Sequence, residues 1–379
     1  MRILQVTPYF GEHYGGTERY CFNLSRALAD MGHEVHVYAA RMKATSLRRE
    51  KEAGLKIHRF PTPTTIWNIN PLTVMLHRLV ANEFDIVHAH SYLYFTSNQA
   101  LLAKILRNSL RKKSRLILHL HGGLGIPPYL NLQPTKRVAK QVYDATVGKL
   151  MMRGADHILS ACKSDALLAQ QQFTIPNHKI SIVYNAIDTQ FFENSKKDGG
   201  HTKTPYLLFV GDLERWKGLR SLIRAIGILK ERGLIFSLKI AGVGGLEEAL
   251  RKMADGLDVQ FLGAIPHAQI PALMRSAYAF VLPSYWEGIP TVGIEAMASK
   301  TPFIGTNVGG IPELISSGET GFLVPPDSPG EIASAVQLLE DQGLRNKIIM
   351  NATKLIHQKF TIENVTKHTL DVYQRVLHR

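Results

Sequence analysis

Ser284 to Lys300 reads SYWEGIPTVGIEAMASK, and two carboxylates in it, Glu287 and Glu295, stand eight positions apart. Gly288-Ile289-Pro290 between them is a turn signal. After Pro290 the apolar residues Val292, Ile294, Ala296, Met297 and Ala298 follow a helical pattern. The run Ala279-Phe-Val-Leu in front reads as a buried strand. The stretch is therefore a strand, a tight loop and a helix, with Glu287 on the loop and Glu295 one to two turns into the helix. Thr291 to Gly293 would offer free backbone N–H groups at the helix start, where anions bind readily. Carboxylates that accept sugar or ribose hydroxyls, beside amides that hold phosphate, describe a nucleotide-sugar site.

Outward from this stretch the chain alternates. Strand patterns in the first half fall at Ile3–Val6, Glu34–Tyr38, Leu55–Arg59, Ile86–His90, Leu116–His121, His157–Ala161 and Ile182–Asn185. Helical patterns separate most of them, as over Arg19 to Met31, which ends at Gly32. Ser195 to Thr204 (SKKDGGHTKT) is polar and unpatterned and reads as a linker. The alternation then resumes from Tyr206–Val210 onward. Two doubly wound α/β domains are expected, at 1–194 and 195–360, with ligands at the carboxyl ends of parallel strands. The apolar positions of the last helix, Glu363 to His378, fit docking on either domain.

The chain has 379 residues, 45% of them hydrophobic and 20% charged, which fits a soluble globular protein of two domains. No apolar run is long enough to span a membrane, and a strand begins at once with no room for a signal peptide. Cys21 and Cys162 are far apart and read as buried small hydrophobes in a reducing compartment. The charge of +14 is uneven. Residues 1–194 hold 24 Lys+Arg against 13 Asp+Glu, and residues 195–379 hold 21 against 18. A basic half suits an anionic partner or simple solubility. Ala100 to Arg115 puts Leu101, Leu102, Ile105, Leu106 and Leu110 on one stripe. Six cations surround its end: Lys104, Arg107, Arg111, Lys112, Lys113 and Arg115. A sheet-covering helix with a solvated tail, or a contact with an anionic membrane, would produce that pattern.

Other segments carry chemistry. Thr7-Pro8 leads to Gly15-Gly16-Thr17-Glu18, a glycine pair before a helix start; it is not a GxGxxG fingerprint. Asp85-Ile-Val-His-Ala-His90 and Leu118-His-Leu-His-Gly-Gly123 end two strands with histidines. A zinc reading of His88, His90, His119 and His121 lacks a cysteine or carboxylate partner. Phe209-Val-Gly-Asp-Leu-Glu-Arg-Trp-Lys-Gly218, Asn185-Ala-Ile-Asp188 with Phe191, and Val308-Gly-Gly-Ile-Pro-Glu313 complete the set.

EG-x-P-x4-EAMA resembles the donor-site signature of the large family 4 of retaining glycosyltransferases, built from two Rossmann domains facing across a cleft (the GT-B type). The other segments match that family in order and cover nearly the whole chain. The resemblance implies transfer of a hexose or related sugar from a nucleoside diphosphate to an acceptor hydroxyl, in polysaccharide or glycolipid synthesis. Gly16 would lie beside the transferred phosphate, and His121 would contact the donor sugar and reaction centre. The family grips the diphosphate with an Arg and a Lys. Lys217 matches the Lys, but Asp212 stands at the Arg position, so Arg215 is the candidate replacement and Asp212 should point away or pair with Arg215 or Lys217. Glu287 would face the sugar and Glu295 the ribose, with Gly288, Ile289, Pro290, Thr291 and Val292 around the donor. Asn185 and Asp188 would cap the end of the first domain, and the Gly309-Gly310 turn would support the site from behind. No cofactor or metal is expected. The partners implied are a nucleotide sugar and a sugar or lipid-linked acceptor, in the cytoplasm or at the inner face of the membrane. A nucleotide-sugar epimerase or isomerase would share the diphosphate site but needs an acid/base pair. Nucleic-acid binding would explain the charge, yet basic and aromatic residues are not interleaved on any element.

Overall fold

The computed structural model describes residues 1–11, 15–42, 47–66, 70–109, 114–122, 124–125, 134–187, 191–192 and 204–379. The linker reading at 195–203, Leu110 to Lys113 of the basic tail, and Asp188 lie outside these residues. The described residues up to Ala186, with Ile362–Arg379, form one compact unit, and Ile187–Thr361 forms the other. The division thus falls eight residues before position 194, and the C-terminal helix belongs to the first unit.

The strands in chain order are β1 (Arg2–Val6), β2 (Glu34–Arg41), β3 (Arg49–Glu52), β4 (Leu55–Pro61), β5 (Thr64–Ile66), β6 (Asn70–Leu72), β7 (Ile86–His90), β8 (Arg115–Leu120), β9 (His157–Ser160) and β10 (Ile180–Ile182). Apart from the small β5–β6 hairpin they make one sheet in the order β10-β9-β8-β7-β1-β2-β4-β3. All of its pairings are parallel except β3 with β4. The chain runs from β1 to one edge, returns, and builds outward from β7, so the strand order reverses between β1 and β7. At such a point the flanking helices diverge and leave a crevice beyond the strand ends.

Alternation along the central strands sorts residues to two cores. Leu4, Val6, Val87, Ala89, Leu116, Leu118 and Leu120 pack on one face. Ile3, Ile86 and Ile117 pack on the other, with Cys21, Leu24 and Leu28 of the helix Gly16–Asp30 and Val365, Val372, Tyr373 and Val376 of the helix Ile362–Leu377. This burial decides the docking of the last helix, which its amphipathic pattern left open. Each large apolar side chain so buried contributes about 1.5–3 kcal/mol.

The second unit has β11 (Tyr206–Val210), β12 (Ser237–Ala241), β13 (Val259–Gly263), β14 (Ala279–Leu282), β15 (Phe303–Thr306) and β16 (Phe322–Val324). They form one parallel sheet in the order β13-β12-β11-β14-β15-β16. Its reversal lies between β11 and β14, whose carboxyl ends lead directly to Lys217 and Glu287. The edge strand β3 and the β5–β6 hairpin are absent from the alternation read in the sequence, because both are short and polar.

Candidate active site

In the second unit the chain leaves β11 and turns through the short 3-10 helix Arg215–Lys217. Gly218 ends the turn at φ 67°, and a Cβ there would fall 1.9 Å from the Pro283 carbonyl oxygen. Only glycine permits that approach. It seats the turn against the loop after β14, where the Tyr285 N–H donates to the Trp216 carbonyl at 2.7 Å. Lys217 Nζ then donates to Glu287 Oε1 at 2.7 Å, and Ser284 Oγ donates to the same oxygen at 2.7 Å. These two charged side chains are 16% and 11% exposed, so the pair is shielded yet reachable.

Gly309 and Gly310 back this loop. A Cβ on Gly309 would lie 1.8 Å from the Glu287 carbonyl oxygen, and the Gly310 N–H donates to the Gly288 carbonyl at 2.8 Å. Beyond Gly288, Ile289 and Pro290 are buried and the helix Thr291–Ala298 begins. The Gly293 N–H donates to the Pro290 carbonyl at 3.0 Å, which corrects the expectation that it is free. Thr291 and Val292 keep N–H groups with no backbone acceptor among the described residues. They stand at the positive end of the helix. Glu295 is 3% exposed and its Oε1 lies 2.9 Å from His267 Nε2.

Of the two outcomes expected for Asp212, pointing away or pairing with Arg215 or Lys217, the pairing is not found among the described residues. Asp212 and Arg215 are both exposed, and neither joins an ion pair among the described residues. Lys217 is held by Glu287 instead, seventy residues away in sequence. Asp212 is therefore solvated, and Arg215 is uncommitted. Ser284 and His267 were not singled out from sequence. Ser284 opens the decisive stretch and could have been noticed; His267 belongs to no motif.

In the first unit the four histidines lie on one face of the central strands. His88 Nδ1 is 2.6 Å from the Tyr373 hydroxyl, and His88 Nε2 is 3.2 Å from His119 Nδ1. His90 Nε2 is 2.8 Å from Gln5 Oε1, and His90 Nδ1 is 3.0 Å from His121 Nε2. If Gln5 accepts from His90 Nε2–H, His90 Nδ1 must accept from His121 Nε2–H. That tautomer leaves His121 Nδ1 as an acceptor on the far side of the ring. Burial pushes His121 down to about 4 and His88 to about 3, and holds His90 and His119 well below the usual imidazole range. The nearby Asn185 side chain opposes the shift at His121.

His88, His90 and His119 place ligand atoms within 4.8 Å of one another. Their rings are stacked nearly parallel, at 22° for His88–His90 and 11° for His88–His119. A metal must lie in the plane of each imidazole that binds it, about 2.0–2.1 Å from the nitrogen. Stacked planes cannot all satisfy this, and both His88 nitrogens are already engaged. The group fits a hydrogen-bonded ladder better than a metal centre. Gly15 precedes the helix that starts at Gly16, and a Cβ on Gly15 would meet Glu18 Oε2 at 3.0 Å. Burial pushes the Glu18 carboxyl up.

Comparison with known proteins bears on the family and the fold. The family model for glycosyl transferases group 1 matches residues 190–355, and that for glycosyltransferase family 4 matches residues 14–191. A glycosyltransferase of Methanocaldococcus jannaschii is 27% identical over 99% of this chain and 98% of its own. The D-inositol 3-phosphate glycosyltransferase of Corynebacterium glutamicum is 25% identical over 86% and 84%. Among solved structures, sucrose-phosphate synthase of Thermosynechococcus elongatus superposes with a TM-score of 0.77 at 20% identity over 99% of both chains. Anabaena HepE in complex with UDP-glucose superposes at 0.74 with 21% identity, over 98% of this chain and 99% of that one. With the two family models spanning residues 14–355 between them, the chain belongs to the family 4 glycosyltransferases and has their GT-B fold.

Proposed function

We propose that this glycosyltransferase moves a hexose or related sugar from a nucleoside diphosphate to an acceptor hydroxyl, with retention of anomeric configuration. The Lys217–Glu287–Ser284 cluster beside the Thr291 and Val292 N–H groups carries the reading. Without substrate, Lys217 neutralises Glu287. An arriving diphosphate competes for the lysine, and charge growing on the leaving group strengthens its hold in the transition state. Arg215 adds a second cation, Glu295 takes ribose hydroxyls, and Glu287 faces the sugar. Gly16 and His121 of the first unit are assigned to the transferred phosphate and the sugar on the family pattern. His121 acts as a neutral hydrogen-bonding group. No metal or other cofactor is required on this reading.

Thermal shift with UDP, GDP and ADP ranks the donor base, since a ligand of the folded state raises the melting temperature. Mass transfer from the matching nucleotide sugar, with NMR of the product anomer, tests the reaction. Interconversion of the nucleotide sugar without transfer would point to an epimerase and sink the proposal.

A second reading concerns the acceptor. No helix among the described residues is long and apolar enough to cross a membrane. Lys104 and Arg115 pair with Asp156, while Arg107 donates to the Val80 and Asn82 carbonyls, so three of the six cations serve the fold. Leu101 is buried, but Leu102, Ile105 and Leu106 are exposed on the helix Phe95–Ser109, just ahead of Arg111, Lys112 and Lys113 in sequence. That favours peripheral contact with an anionic membrane on the cytoplasmic side and a lipid-linked acceptor. Sedimentation with acidic liposomes at physiological salt tests it. Absent binding, or binding unchanged after Arg111, Lys112 and Lys113 become Ala, counts against it.

A further inference from the structure

A cavity of about 670 Å³ opens at the carboxyl end of β4, lined by Arg48, Arg49, His58, Arg59, His77 and Arg78. Its charge is nearly uncompensated. Arg59 pairs with Glu50, but Arg48, Arg49 and Arg78 join no ion pair among the described residues. No Asp or Glu lines the cavity, and none occurs in the sequence between Ala53 and Asn82.

The fold forces these cations together. The Arg59 N–H donates to the Arg48 carbonyl at 2.9 Å, and antiparallel pairing sets Arg49 directly opposite His58 and Lys51 opposite Lys56. Glu34 offsets Lys56, whereas no ion pair among the described residues offsets Arg48, Arg49 or Arg78 of the cavity. The field they create is felt locally: burial lowers the His58 pKa, and His36, Arg49, Arg78 and Lys56 push it the same way. A half-buried Phe60 adds an apolar wall beside the guanidinium groups.

Cations gathered in a concave site without carboxylates are held apart by repulsion unless an anion joins them. Guanidinium forks match phosphate oxygens in pairs. The volume lies within the range of small-molecule sites, about 300–1,000 Å³, which leaves room for more than a bare phosphate. The location, at the carboxyl end of a parallel strand, is where doubly wound sheets bind ligands. We propose that this cavity binds a phosphate ester of sugar size, carried by a free molecule or by a lipid headgroup. The site belongs to the first unit and does not depend on the donor-site assignment.

The test titrates the full chain with inorganic phosphate and glycerol 3-phosphate, with UDP present to occupy the donor site. It uses wild type, Arg49→Gln/Arg78→Gln and Arg49→Lys/Arg78→Lys. These side chains are exposed, so the variants should keep the wild-type melting temperature. The Gln pair should weaken glycerol 3-phosphate by about tenfold or more while UDP affinity is unchanged, and the Lys pair should fall between. A parallel arm sediments the proteins with phosphatidylglycerol/phosphatidylcholine vesicles. Loss of glycerol 3-phosphate affinity with vesicle binding intact identifies a free ester; loss of both identifies a headgroup. Equal affinity of wild type and the Gln pair for both phosphates, or no binding of either, overturns the proposal. Failure of UDP to bind would instead count against the donor reading.

Discussion

The first unit holds its histidines as a buried ladder braced by Gln5 and Tyr373, whereas the second holds Lys217 and Glu287 partly open to solvent. The two regions solve different problems. The ladder must keep its imidazoles neutral and hydrogen-bonded, because a buried imidazole without a partner costs about 1–3 kcal/mol. The Lys217–Glu287 pair must be exchangeable, because its lysine has to change partners when a diphosphate arrives. Burial that suits the first would defeat the second, since a deeply buried ion pair is costly to break.

Acid should separate the two regions most sharply. His36, His88, His90, His119 and His157, the buried histidines among the described residues, all lie in the first unit. Burial places His121 and His157 at about 4 and His88 at about 3, below the ordinary 6.5. Between those values the unfolded chain binds protons that the folded one refuses, so stability falls as pH drops below about 6.5. Each such group contributes up to about 1.4 kcal/mol per pH unit. Hydrogen exchange at decreasing pH should show β7 and β8 losing protection before β11 and β14. Simultaneous loss, or earlier loss in the second unit, would break the contrast.

Next in size is Lys217→Ala. Removing a cation that meets the leaving group should lower kcat and raise the donor KM, with a combined loss of about 10²–10³. A variant of near-normal activity would mean the pair with Glu287 is purely structural.

The paired glutamates sharpen the comparison within the second unit. Glu295→Ala should weaken nucleoside diphosphate binding by roughly tenfold, through loss of a charged hydrogen-bond acceptor. Glu287→Ala should leave that affinity nearly intact and reduce turnover. Calorimetry showing equal loss of nucleotide affinity in both would refute the division of roles.

The smallest effect is expected for Arg215→Ala. Arg215 is exposed and does not neutralise Asp212, so any effect on the donor KM reports its contact with phosphate directly. A change of less than about tenfold fits an auxiliary cation. A loss as large as that of Lys217→Ala would mean that Arg215 fully replaces the arginine missing at position 212.

The two Rossmann-like halves were legible because their signals are local. Strands such as Ile86–His90 are short apolar runs, and Leu219–Glu231 repeats its apolar residues at helical spacing. The donor-site stretch was equally readable, since Glu287, Pro290 and Glu295 sit within nine residues of one strand–loop–helix unit. His119 and His121, two positions apart in one strand pattern, share a face by the alternation of a strand alone. What the sequence could not decide depends on register and packing between distant segments. His88 meets Tyr373 across 285 positions because the last helix buries its apolar stripe against the first unit, although the same stripe could cover either. Lys217 chooses Glu287 over the nearby Asp212 because Gly218 lets its turn close on the loop after β14. His267 reaches Glu295 only through the folding of the elements between them. Periodicity specifies which face of an element is buried, but the partner on the other side is set by how whole elements pack.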